Sequence, residues 1–442
     1  MFFDRPEAGR KAVVLHVHFR ALAAQSGEAI DDESALAECV ELARTAEVDV
    51  VDTVTASRDH PHPRAFIGSG KLDELRQRMR RSDADLLIIN HELGAGQQRN
   101  LENDLKCRVI TRTELILTIF ADRARTHEGQ LQVELAQLKH AQTRLVRGWT
   151  HLDRQKGGIG LRGAGETQLE LDQRMLGERI KTTERKLDQV SRRRALGRRR
   201  RERSKTPTVS LVGYTNAGKS TLFNSLTTAE VLSEDKLFAT LDPTMRRLQI
   251  DGVGEVVLAD TVGFISKLPH SLIEAFKATL EEVSGADLLL HVVDGASPGL
   301  DARISEVNAV LEEIGALELP TLLVLNKMDL ASGPPELGPE LINAQGIKVS
   351  ALTGAGLDEL RQAIADALGV AAPTEVLIAP EDGRTRAWLY RLGAVIDEQI
   401  AEDGRVAMKL RADPVLIERL EALPTVLLQP AEPVHKLAPL AN

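Results

Sequence analysis

The chain of 442 residues has only two cysteines, Cys39 and Cys107. Each lies in an apolar context, Leu36 to Leu42 for the first and just before Val109-Ile110 for the second. Both therefore read as small buried hydrophobes in a reducing compartment, not as a disulfide or as metal ligands. No apolar run approaches the ~20 residues that a membrane-crossing helix needs. The leading segment MFFDRPEAGRK also lacks the apolar core of a signal peptide. These absences point to a cytoplasmic protein and leave membrane contact, if any, a peripheral role.

Apolar residues make up 43% of the chain, ample for the cores of several domains. The net charge of −9 conceals an asymmetry: between Gly129 and Thr206 there are 20 Lys/Arg against 9 Asp/Glu, a surplus of 11 that leaves the rest at −20. An acidic protein with one basic segment points to local contact with nucleic acid.

The run Thr208 to Val212 is apolar and β-branched, as in a buried parallel strand, and it leads directly into Gly213-Tyr214-Thr215-Asn216-Ala217-Gly218-Lys219-Ser220-Thr221. That stretch fits GxxxxGK[ST], and Ser220 to Leu226 continues as a helix. Strand, glycine loop and helix thus follow in the order that phosphate binding requires. Glycines let backbone N–H groups wrap a diphosphate, the helix N-terminus adds partial positive charge, Lys219 reaches the β- and γ-phosphates, and Ser220 ligates Mg²⁺.

A second apolar run, Val256 to Ala259, ends in Asp260-Thr261-Val262-Gly263, which places a carboxylate on the Mg²⁺ side and a glycine N–H at the γ-phosphate. A third, Leu322 to Leu325, runs into Asn326-Lys327-Met328-Asp329, an NKxD guanine reader. Asp329 accepts from the base N1–H and exocyclic N2–H₂, an edge adenine lacks, while Asn326 and the Lys327 stem hold the ring. The short strand Ile347 to Val349 then delivers Ser350-Ala351 to the guanine O6. These signals, each at a strand's carboxyl end, select GTP over ATP.

Between the first helix and the next strand, Leu237 to Thr244 occupies the place of switch I. Thr240 is the candidate second Mg²⁺ ligand, with Thr244 as runner-up and helix capping as the plain alternative. Phe264 stands where many signalling GTPases carry a water-orienting glutamine. Its ring cannot hydrogen-bond water, so slow intrinsic hydrolysis is expected, quickened by a partner that orders the switches. Lys219, Thr240 and Gly263 are the candidate catalytic groups.

Upstream, residues 1–128 alternate strand-like and helical runs, which implies a largely parallel α/β sheet. Ile67 to Lys71 imitates a phosphate loop without its spacing, and His60-Pro61-His62-Pro63 reads as a stiffened loop and not a metal site. Residues 129–205 change character: Leu131, Leu135, Leu138, Leu145, Trp149 and Leu152 form one apolar seam, and Leu169, Leu176, Ile180, Leu187 and Val190 a second. Two seams make an antiparallel helical hairpin whose first arm spans about 35 Å at about 1.5 Å per residue. Its tip, Lys156 to Gly165, holds five glycines, Lys156 and Arg162, with Ile159 and Leu161 exposed. Such a loop suits close approach to structured RNA, against the plainer reading of a tip with no partner.

Seven arginines then fall between Arg192 and Arg201 with no acidic residue to balance them. They read as a polyanion contact or as a solvated helix face. The GTP-binding region runs over 206–370, and 374–442 reads as a small α+β module. The expected class is therefore α/β: a P-loop domain with a mixed, mostly parallel sheet, an N-terminal α/β domain with a projecting hairpin, and a small C-terminal domain.

The Asn216-bearing loop, Phe238 to Thr244, Asp260 to Phe264, the glycine-rich tip and Glu166-Thr167-Gln168-Leu169-Glu170 together resemble the HflX family of bacterial translation-associated GTPases. The resemblance implies a large-subunit (50S) ribosome partner contacted through ribosomal RNA, with the hairpin tip reaching the peptidyl-transferase region and a role in splitting or rescuing stalled or idle ribosomes. It implies GTP and GDP contacts from Gly213 to Ser220, at Phe238, Ala239, Thr240, Leu241 and Asp242, at Asp260, Thr261, Val262 and Gly263, at Asn326, Lys327, Met328 and Asp329, and at Ser350, Ala351 and Leu352. Mg²⁺ falls to Ser220 and Thr240, and Asn216 resembles the asparagine that admits K⁺ beside the phosphates. No DNA partner is expected. The competing reading is a signalling switch whose arginine run meets a protein or an anionic membrane. An RNA-modifying enzyme would need a nucleophile or cofactor site that the sequence does not offer.

Overall fold

The computed structural model describes residues 10–20, 32–148, 168–204, 206–227, 237–238, 240–266, 272, 276–297, 299–331, 333, 346–368, 374–392, 394–400, 404–410 and 414–428. Packing divides the chain into two units. One comprises Met1–Gly197 with Ser233–Asp242 and Ile265–Thr279, the other Arg198–Leu232, Pro243–Phe264 and Leu280–Asn442. The glycine-rich tip lies outside the described residues.

In the first unit, β1 (Lys11–Phe19), β2 (Asp49–Arg58), β3 (Leu86–Ile89) and β4 (Arg108–Thr111) form a sheet in the order β2-β1-β3-β4, parallel throughout. β1 and β3 are nearly continuous apolar runs because both faces of a parallel sheet are covered. The covering helices are α1 (Asp32–Thr45), α2 (Ser69–Ser82), α3 (Ala95–Leu105) and α4 (Arg112–Arg123). Thr111 caps α4, accepting from the Glu114 N–H while the Glu114 carboxylate accepts from the Thr111 N–H. Gly68 precedes α2 with extended backbone.

Burial pushes both cysteine thiols up to about 12, although Cys107 is only half-buried, so neither is a reactive thiolate. Among the described residues no group of histidines, cysteines and carboxylates is arranged to hold a metal ion. No helix there is long and apolar enough to cross a membrane.

Two long helices follow, α5 (His127–Gly148) and α6 (Gln168–Ser204). They meet through Leu135, Leu138, Leu176 and Ile180, with Ala141, Leu145 and Leu187 extending the seam. Arg179–Glu134 at 2.7 Å and Lys139–Glu184 at 3.8 Å flank it. The arginine run Arg192 to Arg201 continues α6 as helix.

The second unit carries a six-stranded sheet of β5 (Thr208–Val212), β6 (Thr244–Ile250), β7 (Gly254–Asp260), β8 (Leu288–Asp294), β9 (Thr321–Asn326) and β10 (Ile347–Lys348). The order is β10-β9-β8-β5-β7-β6, parallel except for the β6–β7 pair. Helices α7 (Lys219–Thr227), α8 (Lys277–Ser284), α9 (Leu300–Glu313) and α10 (Leu357–Ala367) connect it. Val209, Leu211, Leu222, Phe223, Leu258, Leu290, Val292 and Val324 fill its core.

The last segment is β11 (Thr374–Ile378), α11 (Gly383–Arg391), β12 (Val395–Ile400), β13 (Val406–Leu410), α12 (Pro414–Glu421) and β14 (Val426–Leu428). Its antiparallel sheet runs β12-β13-β11-β14, a split β-α-β arrangement around Val376, Ile378, Met408 and Leu410.

Leu138 is fully buried in the small α5–α6 seam. Leu138→Ala is expected to destabilise the first unit by about 2–5 kcal/mol, read as a lowered denaturation midpoint by circular dichroism.

Candidate nucleotide-binding site

Because β10, β9, β8, β5 and β7 are neighbours and all point the same way, their carboxyl ends share one edge. That edge gathers Gly213 to Ser220 after β5, Asp260 to Gly263 after β7, Asn326 to Asp329 from β9, and Ser350 to Leu352 beyond β10. This is the crevice in which open α/β sheets bind ligands.

The loop after β5 passes so close to β8 that a Cβ at Gly213 would overlap the Val292 carbonyl oxygen, and φ there is +145°. Gly218, at φ +88°, leaves room for the Asn326 amide. Only glycine meets both demands. The loop is tied to the DxxG segment by backbone bonds: Thr215 N–H to the Phe264 carbonyl at 2.7 Å and Phe264 N–H to the Gly213 carbonyl at 3.1 Å. Asn216 takes φ +60° and faces solvent. The Phe264 ring is buried. It is part of the core and holds no solvent-facing position, which gives the absence of glutamine a packing reason.

Lys219 is 6% exposed, and its ammonium donates to the Gly213 and Tyr214 carbonyls at 3.1 and 2.8 Å. Burial pushes it down to about 8, and Asp260 pulls the other way. The same burial, helped by the Lys219 charge, pushes His291 on β8 down to about 4, so no second cation competes there at neutral pH. Ser220 Oγ lies 2.7 Å from Asp260 Oδ2. A hydroxyl and a carboxylate so placed are the hard oxygen donors that Mg²⁺ accepts, and the residues fit that ion. Gly263 admits no side chain, because a Cβ would stand 2.9 Å from Lys219 Nζ and from Thr215 Cα.

At the other end of the edge, Asn326 is a brace. Its amide donates to the Ala217 carbonyl at 2.9 Å and its carbonyl accepts from the Ala351 N–H at 3.0 Å, so one side chain joins the phosphate loop to the Ser350-Ala351 segment. The Asp329 carboxylate is held by Ser350 Oγ at 2.6 Å. Met328 N–H reaches the Val349 carbonyl at 3.2 Å. Leu352 is 80% exposed. Lys327, at φ +61°, extends to Asp294 at the end of β8, 2.9 Å away. Asp294 was not among the sequence candidates. Its signal was a further apolar run, Leu288 to Val293, closed by Asp294-Gly295 in the same strand-then-polar pattern.

Switch I belongs to the first unit. Thr240 and Leu241 are buried, and Phe238, at φ +55°, packs edge-on against Phe120 of α4 at 4.7 Å. The Asp242 carboxylate accepts from the backbone of Arg125 and Thr126. Ala239 lies outside the described residues.

Family models describe the chain over most of its length: a GTP-binding GTPase N-terminal model over residues 33–121, a GTPase middle-region model over 123–201, a 50S ribosome-binding GTPase model over 208–327 and an HflX C-terminal domain over 342–422. The GTPase HflX of Escherichia coli K12 is 50% identical over 412 residues, covering 92% of this chain and 95% of that protein. The chain belongs to the HflX GTPase family. A second relative, from Magnetococcus marinus, is 49% identical over 83% of this chain and 86% of its own length. Among solved structures, a GTP-binding protein from Sulfolobus solfataricus in complex with GDP is 24% identical, covers 81% of this chain and 98% of its own, and has a TM-score of 0.43. The protein is a GTPase built on a P-loop domain, as family membership and the site together require.

Two outcomes follow from this geometry. The expected contact of Lys219 with the phosphates requires its ammonium form, and burial pushes that group down to about 8. Affinity for labelled GDP is therefore expected to hold steady below that pH and to weaken by up to about tenfold per unit above it, measured by fluorescence titration. Lys219→Arg should flatten the profile. If Asp329 reads guanine as the NKxD pattern predicts, Asp329→Ala is expected to lower GTP affinity by about 5- to 150-fold, the equivalent of about 1–3 kcal/mol for a bidentate contact to a base. Inosine nucleotides, which lack the N2 amino group, should lose less.

Proposed function

We propose that this GTPase binds the large ribosomal subunit in its triphosphate form, through ribosomal RNA, and that hydrolysis releases it, with splitting or rescue of stalled or idle ribosomes as the outcome. The observation that carries the reading is the joining of a complete guanine-nucleotide edge to a long helical pair whose segment from Gly129 to Thr206 holds a charge surplus of 11. A surplus of that size on one helical segment favours a polyanion, since counterion release rewards each phosphate it meets. The glycine-rich tip suits close backbone approach to RNA. The name of the family model over residues 208–327, a 50S ribosome-binding GTPase, supports the same partner.

Within the site, Lys219 balances charge on the β- and γ-phosphates, the Gly263 N–H addresses the γ-phosphate, and Asp329 reads guanine. Mg²⁺, held by Ser220 and Thr240 with Asp260 beside it, supplies counter-charge to the phosphates when bound. Asn216 is assigned to a K⁺ ion beside them, and equal turnover in KCl and NaCl would remove that assignment. The protein acts in the cytoplasm, where ribosomes and GTP are.

Sedimentation of the protein with 50S subunits and whole ribosomes under GDP, GTP and a non-hydrolysable analogue tests the proposal. Co-pelleting is expected to be strongest with the analogue and weakest with GDP. Equal pelleting in all three states would refute it, and shortening Gly157 to Gly165 is expected to abolish ribosome-stimulated turnover.

A further inference from the structure

Switch I and the stretch that begins just past the DxxG segment both belong to the N-terminal unit of this chain. Ser266, just past the DxxG segment, donates through Oγ to Glu38 on α1 at 3.1 Å, and its carbonyl accepts from Arg112 at 3.1 Å. Arg112 also donates to Glu38 and, at 2.8 Å, to Asn90 Oδ1. Phe276 and Phe238 pack edge-on against Phe120, at 4.9 and 4.7 Å.

The contact of Asp242 is the most specific of these. One carboxylate oxygen accepts from the N–H groups of Arg125 and Thr126, both at 2.9 Å, and the other from the Thr126 hydroxyl. The Thr126 hydroxyl also accepts from the Gly129 N–H at 3.0 Å, which closes the first turn of α5. A Cβ at Gly129 would overlap Asp242 Oδ1, so the seat exists because residue 129 is glycine. An anion on the first turn of a helix is favoured by the free N–H groups and by the dipole. Here the anion comes from switch I, two residues beyond Thr240.

We propose that Asp242 is the positioning residue of switch I: seated on the first turn of α5, it makes the loop that carries Thr240 and the base of the helical pair move as one body. This rests on the nucleotide-gated reading above and identifies where the gate is attached. Any nucleotide-dependent displacement of the loop that carries Thr240 would pass through Asp242 to α5. When a partner holds the arm, the same contact fixes switch I.

Gly129→Ala separates this role from simple helix capping. Alanine favours helix over glycine, so α5 itself is not weakened, yet the added methyl evicts the carboxylate. Amide hydrogen exchange over Arg123–Gln130 in the full-length protein is expected to differ by roughly tenfold or more between GDP and a non-hydrolysable GTP analogue. That difference should vanish in Gly129→Ala and in Asp242→Ala. In Gly129→Ala the affinity for GDP and the KM for GTP should stay within about twofold of the parent and the melting temperature should not fall, while the 50S-stimulated kcat drops at least about fivefold.

Equal exchange in the two nucleotide states of the parent protein would overturn the proposal, as would full stimulation in both variants. If 50S subunits fail to stimulate the parent protein, the ribosomal reading falls, and the exchange experiment alone then decides whether Asp242 is the attachment.

Discussion

A lysine, Lys219, held at 6% exposure is the constraint around which the nucleotide edge is built. Burying a cation without an anion is costly, and the chain meets that cost with the Gly213 and Tyr214 carbonyls and with Asp260 nearby. Each of those partners is placed by a strand end: β5 leads into the carbonyls and β7 ends at the carboxylate. Gly263 follows from the same demand, since a Cβ there would stand 2.9 Å from Lys219 Nζ, whereas Gly213 is required by the closeness of the Val292 carbonyl. A bound polyphosphate adds the negative charge that this arrangement favours, so affinity for nucleotide and the tight packing of the loop have one origin.

Asn326 extends the constraint to the base. Its two ends join the phosphate loop at Ala217 to the Ser350-Ala351 segment, and Lys327 continues the link to Asp294. The pocket is thus assembled from strand ends held by side-chain braces. The segments proposed to meet phosphate and guanine are thereby joined by side-chain hydrogen bonds.

Much of this was legible in the residues. Continuous apolar runs such as Leu86 to Ile89 and Thr208 to Val212 are what a parallel sheet covered on both faces requires, and each was followed by glycine or polar residues that end a strand. The Thr111 cap has a local signature in the Glu114 three residues on, which completes the capping box. What escaped sequence reading depends on tertiary contact. Asp294 gains its role from Lys327, more than thirty positions away, and no local pattern marks that pairing. Phe264 looked like a substitution at a catalytic position, and only burial reveals it as core. The partners of Asp242 are residues 125 and 126, across more than a hundred positions of chain. A carboxylate after Thr240-Leu241 reads locally as a nucleotide contact, and periodicity carries no information about such a distant helix end.

The split of the chain into two interleaved units has an evolutionary consequence. A recombination break near residue 206 would exchange the P-loop domain between relatives as a contiguous block. That block would carry Phe238, Asp242, Ser266 and Phe276, whose partners Phe120, Thr126, Gly129, Glu38 and Arg112 stay behind. A chimera would inherit two loops shaped for a foreign surface. Drift at these positions has to be matched on both sides of the break, so the two halves of the gene are bound to a common history.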